Sequence, residues 1–208
     1  MLVAICAMGP EFTAGGATAT TAARAQLPPP VAGQTVNAAL RRGKVRYKLP
    51  GATSFVNLTD PVQVPFGTTF DTTAGRVTLT SASDAQGGTQ HAWFYEGTFK
   101  VGQTSGDQPV TTLTLAGATP ICPKASAGRA AARRKSRHLW GDGKGRFRTA
   151  GRFSAATVRG TRWVVIDRCD GTLTRVVRGV VAVRDFRRKT TVLVRAGHEY
   201  LAKAPGYR

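Results

Sequence analysis

The chain has 208 residues, a mass of 22.0 kDa and 41% hydrophobic residues, which suits one domain or two small ones. Its 24 glycines and 11 prolines favour frequent turns over long helices, and no apolar run reaches the roughly 18–20 residues that cross a bilayer as a helix. The net charge is +19, and 21 of the 30 basic residues lie in 129–208 beside five acidic ones. This asymmetry predicts an anionic partner, such as nucleic acid, a membrane surface or an acidic cell-wall polymer. Arginine-rich codon usage in a GC-rich genome would produce the same bias.

Residues 1–36 have the composition of a signal-like or disordered leader. Leu2 to Met8 is a short apolar run, and Ala23-Arg24-Ala25 has the small residues that a signal peptidase recognises. No basic residue precedes the apolar run, so the pattern predicts a truncated or mis-started signal peptide. Residues 13–35 are rich in Ala, Thr, Gly and Pro and predict an unstructured segment. We therefore expect an exported protein.

From Gly43 onwards, apolar and polar residues alternate as they do in half-buried β-strands. In "GKVRYKL", Val45, Tyr47 and Leu49 alternate with basic side chains. Turn residues recur at intervals of roughly 8–12 residues, as in an antiparallel all-β domain. The predicted strands lie at 43–49, 76–81, 91–103 (two strands meeting at Gly97), 109–115, 146–148, 162–167, 171–177, 179–185 and 189–196.

Residues 117–137 interrupt this pattern. The segment "GATPICPKASAGRAAARRKSR" has no strand alternation and ends in a basic cluster, which predicts an irregular loop between two β-rich halves. The sequence as a whole predicts one all-β domain over 37–204, either an antiparallel β-sandwich or a short β-solenoid. Residues 205–208 are predicted to be a tail.

The glycine-rich stretch "GDGKGRFR" raises the question of a phosphate-binding loop. Such a loop needs a lysine followed by Ser or Thr and then a helix, whereas Lys144 is followed by Gly145 and a strand-like alternation. Asp142-Gly143 is a common two-residue hairpin turn, because glycine accepts positive φ. The stretch therefore predicts β-turns, with the hairpin at Asp142-Gly143.

A weak internal repeat is visible along the chain. "GKVRYKLPG" at 43–51 matches "GKGRFRTAG" at 143–151. In the same order, "GTTF" at Gly67 parallels "GTRW" at Gly160, and "EGTFKV" at Glu96 parallels "RGVVAV" at Arg178. A true duplication would give two similar halves on one core, although chance matches between glycine-rich β-segments are common.

The three cysteines predict one disulfide. Cys6 lies in the leader, whereas Cys122 and Cys169 lie in predicted turns of a domain that we expect to be exported. Pairing Cys122 with Cys169 fits an oxidising compartment and would join the 117–137 loop to the second half. The alternative is two unpaired thiols.

Several short motifs resemble those of the FecR-type domain. "ATVRGTRWVV", "DGTLTRVVRGVVAV" and "VLVRAGHEYLA" are similar to the FecR pattern of an Arg-Gly-Thr strand start, a hairpin, a "G-x-V-x-V" strand and a closing Ala-Gly pair. The residues that carry the resemblance are Arg159, Gly160, Thr161, Gly179 and Gly197. The earlier segments "VPFGTTFDTTAGRVTLTSA" and "FYEGTFKV" resemble the first strands of the same family, so the resemblance covers roughly residues 43–202.

The resemblance implies an extracytoplasmic β-domain that makes contacts. FecR proteins of the best-known type combine an anti-sigma segment, one transmembrane helix and this domain, which relays a signal in the periplasm. The present sequence contains neither an anti-sigma-like segment nor such a helix, so the relay does not carry over. Secreted FecR-like proteins are also similar to it, and for these the family implies no chemistry.

Catalysis and metal binding have little support in the sequence. His91, His138 and His198 are far apart, no His and Cys residues have the spacing of zinc ligands, and no Ser, Cys or Thr lies in a nucleophile elbow. Asp167 and Asp170 flank a turn, where Asp commonly caps the backbone. We expect no enzyme activity, no cofactor and no metal.

One basic cluster is a candidate anion-binding site. Its members would contact phosphate or carboxylate groups, or form a solvated loop; they are Arg129, Arg133, Arg134, Lys135 and Arg137. Trp140 and Phe147 follow and could stack on bases, but their strand-like surroundings predict that both lie in the core.

The sequence thus predicts a non-enzymatic extracytoplasmic interaction or signalling module of a bacterial envelope, with a protein or an anionic polymer as partner. A basic nucleic-acid-binding β-protein is the alternative.

Overall fold

The computed structural model describes residues 27–120, 122, 136–158 and 160–207, and these form an all-β protein. No helix occurs in these ranges, so none of them contains a helix that could span a bilayer. The all-β prediction is confirmed. The strands are β1 (Thr35–Lys48), β2 (Val56–Asn57), β3 (Val62–Pro65), β4 (Thr69–Ala82), β5 (Thr89–Tyr95), β6 (Thr98–Gln103), β7 (Thr111–Leu115), β8 (Arg137–Lys144), β9 (Phe147–Ala150), β10 (Ser154–Val158), β11 (Thr161–Arg168), β12 (Gly171–Arg178), β13 (Val180–Asp185), β14 (Thr190–Arg195) and β15 (Glu199–Lys203).

The strands form one hydrogen-bonded sheet that curves back on itself until it is nearly closed. Its order is β14-β13-β10-β9-β7-β6-β4-β5-β8-β11-β12-β15, with β1 along the other edge of β4. The end strands β14 and β15 contact each other. All pairs are antiparallel except β7 with β9. Neither the sandwich nor the solenoid is confirmed as the finer description.

Two halves of the sheet repeat the same pairing scheme. In the first half, the long β1 pairs along the long β4, which then pairs with β5 near its end and with β6 near its start. In the second half, β8 and β9 together take the place of β1, and β10 and β11 together take the place of β4. The strands β12, β13 and β14 then correspond to β5, β6 and β7.

The two halves match in a different register from the one that the sequence suggested. Gly43, which faces Gly75 between two register shifts of the β1–β4 ladder, corresponds to Gly145 at the break between β8 and β9, and both have positive φ. The equivalent segments are therefore 43–48 and 145–150, two residues away from the predicted alignment. The Gly67–Gly160 match is wrong, because Gly67 precedes β4 and Gly160 lies at the break before β11. The match of the segments at Glu96 and Arg178 agrees, since they lead into β6 and β13.

The predicted hairpin at Asp142-Gly143 is also wrong. Both residues lie within β8, and the chain changes direction at Gly145 (φ 120°). Gly143 is needed for close approach to β5: a Cβ at this position would lie 2.5 Å from Cβ of Ala92. The broader prediction of β-structure without a phosphate loop agrees with the fold, because a strand and not a helix follows Gly145.

Five large aromatic side chains form the centre of the core between the two halves. Phe94 contacts Phe99, Phe147 and Trp163 with ring centroids 5.6–6.2 Å apart, and Phe70 stacks on Phe99. All five are fully buried. The missing side chain of Gly141 leaves room for the Trp163 ring, and the indole N–H of Trp163 donates to Oγ1 of Thr149. The prediction that Phe147 is a core residue is confirmed.

Candidate functional site

The predicted disulfide is present. The sulfur atoms of Cys122 and Cys169 are 2.14 Å apart and their Cα atoms 5.3 Å apart. Cys169 lies in the tight turn between β11 and β12 and is buried, whereas Cys122 is exposed. The bridge therefore fixes residue 122 of the long loop to the second half of the sheet.

Only one member of the predicted basic cluster lies within the described residues. Arg129, Arg133, Arg134 and Lys135 fall outside them. Arg137 is the first residue of β8, and its guanidinium donates from Nε (3.1 Å) and Nη2 (3.0 Å) to the fully buried carboxylate of Asp167. Asp167 also accepts hydrogen bonds from the backbone N–H of Arg152 and the hydroxyl of Thr172. Arg137 is thus engaged in a structural ion pair that joins β8, β11 and the turn after β9.

The four described residues of the FecR-like motif come together at one corner of the sheet. Gly160, Gly179 and Gly197 all have positive φ (68–81°), a backbone conformation that favours glycine. A Cβ on Gly179 would lie 2.7 Å from Cγ2 of the buried Thr161, and the carbonyl of Gly179 accepts from the N–H of Ala196. Arg159 lies outside the described residues. These contacts give the motif glycines a structural role in the turns.

A second group of cations, missed by the sequence reasoning, lies on the outer face of the sheet. On β5, Trp93 and Tyr95 alternate with the fully buried Ala92 and Phe94, so they lie on the opposite face. Trp93 is half-buried, whereas Tyr95 is only 6% exposed because Arg76 and Trp140 cover its ring. On β8, Trp140 is half-buried on the same outer face, which overturns its predicted place in the core. Arginines from β1, β4 and β11 contact these rings. We call the set the arginine–aromatic face; its residues are Arg41, Arg76, Trp93, Tyr95, Trp140 and Arg162.

Three of these side chains form a stack across three neighbouring strands, and Arg162 from a fourth strand lies against it. Arg76, Tyr95 and Trp140 are direct register partners on β4, β5 and β8. The rings of Tyr95 and Trp140 are nearly parallel (5°) with centroids 6.0 Å apart. The Cζ atom of Arg76 lies 4.0 Å from the Tyr95 centroid, and that of Arg162 lies 5.5 Å from the Trp140 centroid. Beside the stack, Cζ of Arg41 lies 3.9 Å from the Trp93 centroid.

The stack leaves the guanidinium groups available for anions. A cation over a ring is held by the ring quadrupole, while its N–H donors lie in the guanidinium plane and can still bind carboxylate or phosphate. Nε of Arg162 donates to the hydroxyl of Tyr95 (3.2 Å). Arg41, Arg76 and Arg162 have no carboxylate partner among the described residues. The face therefore presents ordered cations that no carboxylate of the described part of the chain pairs with.

Two acidic side chains lie beside this face. Asp142 is the register partner of Arg162 and accepts a hydrogen bond from Arg178 (2.8 Å). Glu96 lies at the rim, 3.9 Å from His138. Glu96 and Arg76 also line a shallow cavity of about 380 Å³ with Arg42 and Tyr95. The cations outnumber the acids here, so an anionic group entering from solvent meets a positive surface.

Arg46, further along β1, has a carboxylate partner. Its guanidinium contacts Asp71 at 2.5 Å. Burial raises the pKa of Asp71, but hydrogen bonds from Thr73 and Arg46 outweigh that effect and hold the pKa below its ordinary value. Asp71 is therefore charged at neutral pH and neutralises Arg46, which lies outside the arginine–aromatic face.

The alternation of large aromatic residues in β5 is a sequence signal for this face. Trp93 and Tyr95 occupy alternate positions in "HAWFY", and only one set of alternate positions of a strand can face the core. Their proximity to arginines of β1, β4 and β11 depends on non-local strand pairing, which no local pattern reveals.

Within the described ranges, no three His, Cys, Asp or Glu residues form a group that could hold a metal ion. Comparisons of the chain with models of protein families, with curated proteins and with solved structures gave no match.

Proposed function

We propose that the protein is a non-enzymatic, extracytoplasmic binding module for an anionic polymer of a bacterial envelope, and that the arginine–aromatic face is its binding surface. The observation that carries the proposal is the ordered stack of Arg76, Tyr95 and Trp140 with Arg162 against it, in which both arginines lack a carboxylate partner among the described residues. Cations fixed across several strands suit a ligand that repeats its negative charges along a chain.

The disulfide supports a location outside the cytoplasm. Bridges such as Cys122–Cys169 form and persist in oxidising compartments, whereas cytosolic thiols are kept reduced. The signal-like composition of the leader points in the same direction, although residues 1–26 lie outside the described residues. Membership of the FecR-like group is part of the proposal, and its support is the convergence of Gly160, Gly179 and Gly197 at one corner.

The arrangement of the rings favours a polymer without bases over nucleic acid. Single-stranded nucleic acids bind by stacking bases on open aromatic faces. Here Arg76 and Trp140 lie on opposite sides of the Tyr95 ring, since β4 and β8 flank β5, and Arg162 lies beside Trp140 with its Nε on the Tyr95 hydroxyl. A base would have to displace a guanidinium, whereas a carboxylate or phosphate can bind to its outward N–H groups.

The test is the affinity for polygalacturonate, a base-free polyanion, of the wild type and of the double variant Arg76→Gln/Arg162→Gln. We expect the double variant to bind at least roughly tenfold more weakly, because two charge-assisted hydrogen-bonding groups are lost. The matched control is Arg184→Gln/Arg195→Gln, which removes the same charge from exposed positions on β13 and β14. Equal losses in the two variants would overturn the assignment of the face. Tighter binding of an oligothymidylate with the same number of charges would favour the nucleic-acid alternative.

A further inference from the structure

A second exposed cationic group lies at the tip of the β13–β14 hairpin, away from the arginine–aromatic face. The four-residue loop is Phe186-Arg187-Arg188-Lys189, and all four residues are exposed. Phe186 is 47% exposed, the highest exposed fraction of any aromatic side chain among the described residues. An apolar ring and three consecutive cations therefore project into solvent together from one hairpin.

The conformation of this tip is fixed from below. The carboxylate of Asp185, which is 2% exposed, accepts hydrogen bonds from the backbone N–H groups of Arg187 (3.0 Å) and Arg188 (2.9 Å). Its other oxygen accepts from the hydroxyl of Tyr200 (2.9 Å). The N–H of Phe186 donates to the carbonyl of Phe153. The tip is thus held as a preformed projection.

The acidic groups near this tip are already engaged. Asp185 is buried under the loop, Asp167 is buried and paired with Arg137, and Asp170 is paired with Arg168. Arg152 on the neighbouring turn adds a further cation, and its Cζ atom lies 5.0 Å from the ring centroid of Phe153. The solvent-facing side of this end of the molecule therefore carries a net positive charge around an apolar ring.

We infer that this tip docks on a lipid bilayer that contains anionic headgroups, with Phe186 in the boundary between headgroups and acyl chains. Clustered Lys and Arg are attracted to an anionic leaflet, and an aromatic or apolar side chain on the same projection adds burial in the interface. A dissolved polyanion would use the cations but would leave the phenyl ring in water, so the bilayer accounts for both features. This inference uses other residues than the proposed function and does not depend on it.

The experiment is co-sedimentation of the full chain with vesicles of phosphatidylcholine containing phosphatidylglycerol, compared with pure phosphatidylcholine. Each basic residue near such a surface contributes about 1 kcal/mol, so Arg187→Gln/Arg188→Gln should lower partitioning roughly 30-fold. Phe186→Ser should lower it roughly tenfold at unchanged charge. The variant Arg76→Gln/Arg162→Gln should bind the mixed vesicles as the wild type does, and the two tip variants should bind polygalacturonate as the wild type does.

A gain of signal tests insertion directly. Phe186→Trp should bind the mixed vesicles, and its added fluorescence should be quenched by brominated acyl chains. Wild-type partitioning by Phe186→Ser, or equal binding to pure phosphatidylcholine, would overturn the inference. Partitioning without quenching of the Phe186→Trp signal would also overturn it, because the ring would then not enter the bilayer. Loss of vesicle binding in the Arg76→Gln/Arg162→Gln variant would contradict the separation of the two surfaces.

Discussion

At the scale of residues, buried aspartates hold the turns of the second half in place. Asp167 joins β8, β11 and the turn after β9 through Arg137, Arg152 and Thr172, and Asp185 holds the β13–β14 loop. The sequence pattern suggested that Asp167 caps a turn. Its burial and its pairing with Arg137 follow from long-range strand contacts, which make it part of the core.

Replacing Asp167 should cost much of the stability. Asp167→Ala leaves the guanidinium of Arg137 and the hydroxyl of Thr172 without their partner in a buried site, so the free energy of unfolding should fall by about 3–5 kcal/mol. Urea unfolding followed by tryptophan fluorescence measures the change. The control is Glu199→Ala, which breaks the exposed pair with Arg175 and should change stability by less than about 1 kcal/mol. Similar losses in the two variants would contradict the structural role of Asp167.

Asp185 should make the fold sensitive to acid. Burial raises its pKa, but hydrogen bonds from the N–H of Arg188, the hydroxyl of Tyr200 and the N–H of Arg187 outweigh that effect and hold the pKa below its ordinary value. A carboxyl with a lowered folded pKa contributes stability that is fully present above the unfolded value of about 3.9 and is lost as pH falls through the folded pKa. The free energy of unfolding of the wild type should therefore decline below about pH 4. Asp185→Asn should flatten that decline, and an unchanged slope would refute the assignment.

At the scale of elements, local patterns predicted the strands but not their partners. Alternation located most of β4–β7 and β11–β14, because side chains of a strand face opposite sides in turn. It did not show that β8 passes straight through Asp142-Gly143, since the need for glycine there comes from β5, which is far away in sequence. The arginine–aromatic face was missed for the same reason: Arg76, Tyr95, Trp140 and Arg162 meet only through the pairing of β4, β5, β8 and β11.

The strand assignment of Gly143 can be tested with alanine. Gly143→Ala would place a Cβ 2.5 Å from that of Ala92, and the forced separation of β5 and β8 should cost about 1–3 kcal/mol of unfolding free energy. Gly102→Ala in β6 is the matched control, because no atom lies within 4 Å of its added Cβ. The control should be neutral or stabilising by a few tenths of a kcal/mol, since alanine restricts the unfolded chain. If both substitutions leave the free energy of unfolding unchanged, Gly143 does not lie in a strand against β5, and the predicted turn at Asp142-Gly143 would be favoured.

At the scale of the whole molecule, one bridge and one repeated pairing scheme organise the fold. The two halves follow the same order of strands, and the core aromatic residues lie where they meet. The glycines at equivalent places, Gly43 and Gly145, are two residues out of the register that the sequence match gave them. Residues 129–208 carry most of the positive charge. This asymmetry can be predicted from the sequence alone, because it does not depend on the fold.

Removing the disulfide should destabilise the whole domain. Cys122 and Cys169 are 47 residues apart, and closing a loop of about that length stabilises a fold by about 4 kcal/mol in the chain-entropy description. The variant Cys122→Ser/Cys169→Ser should show a corresponding drop in the midpoint of urea unfolding, and reduction of the wild type should reproduce it. If reductant leaves the midpoint of urea unfolding of the wild type unchanged, the bridge has no structural role.

The central claim is that a base-free polyanion binds on the arginine–aromatic face, and the indole N–H resonances of the three tryptophans test it most directly. Trp93 and Trp140 lie on that face, whereas Trp163 is fully buried and donates its indole N–H to Thr149. During titration of the ¹⁵N-labelled protein with polygalacturonate, the signals of Trp93 and Trp140 should shift to saturation while that of Trp163 stays in place. Binding that leaves the Trp93 and Trp140 signals unmoved would contradict the account.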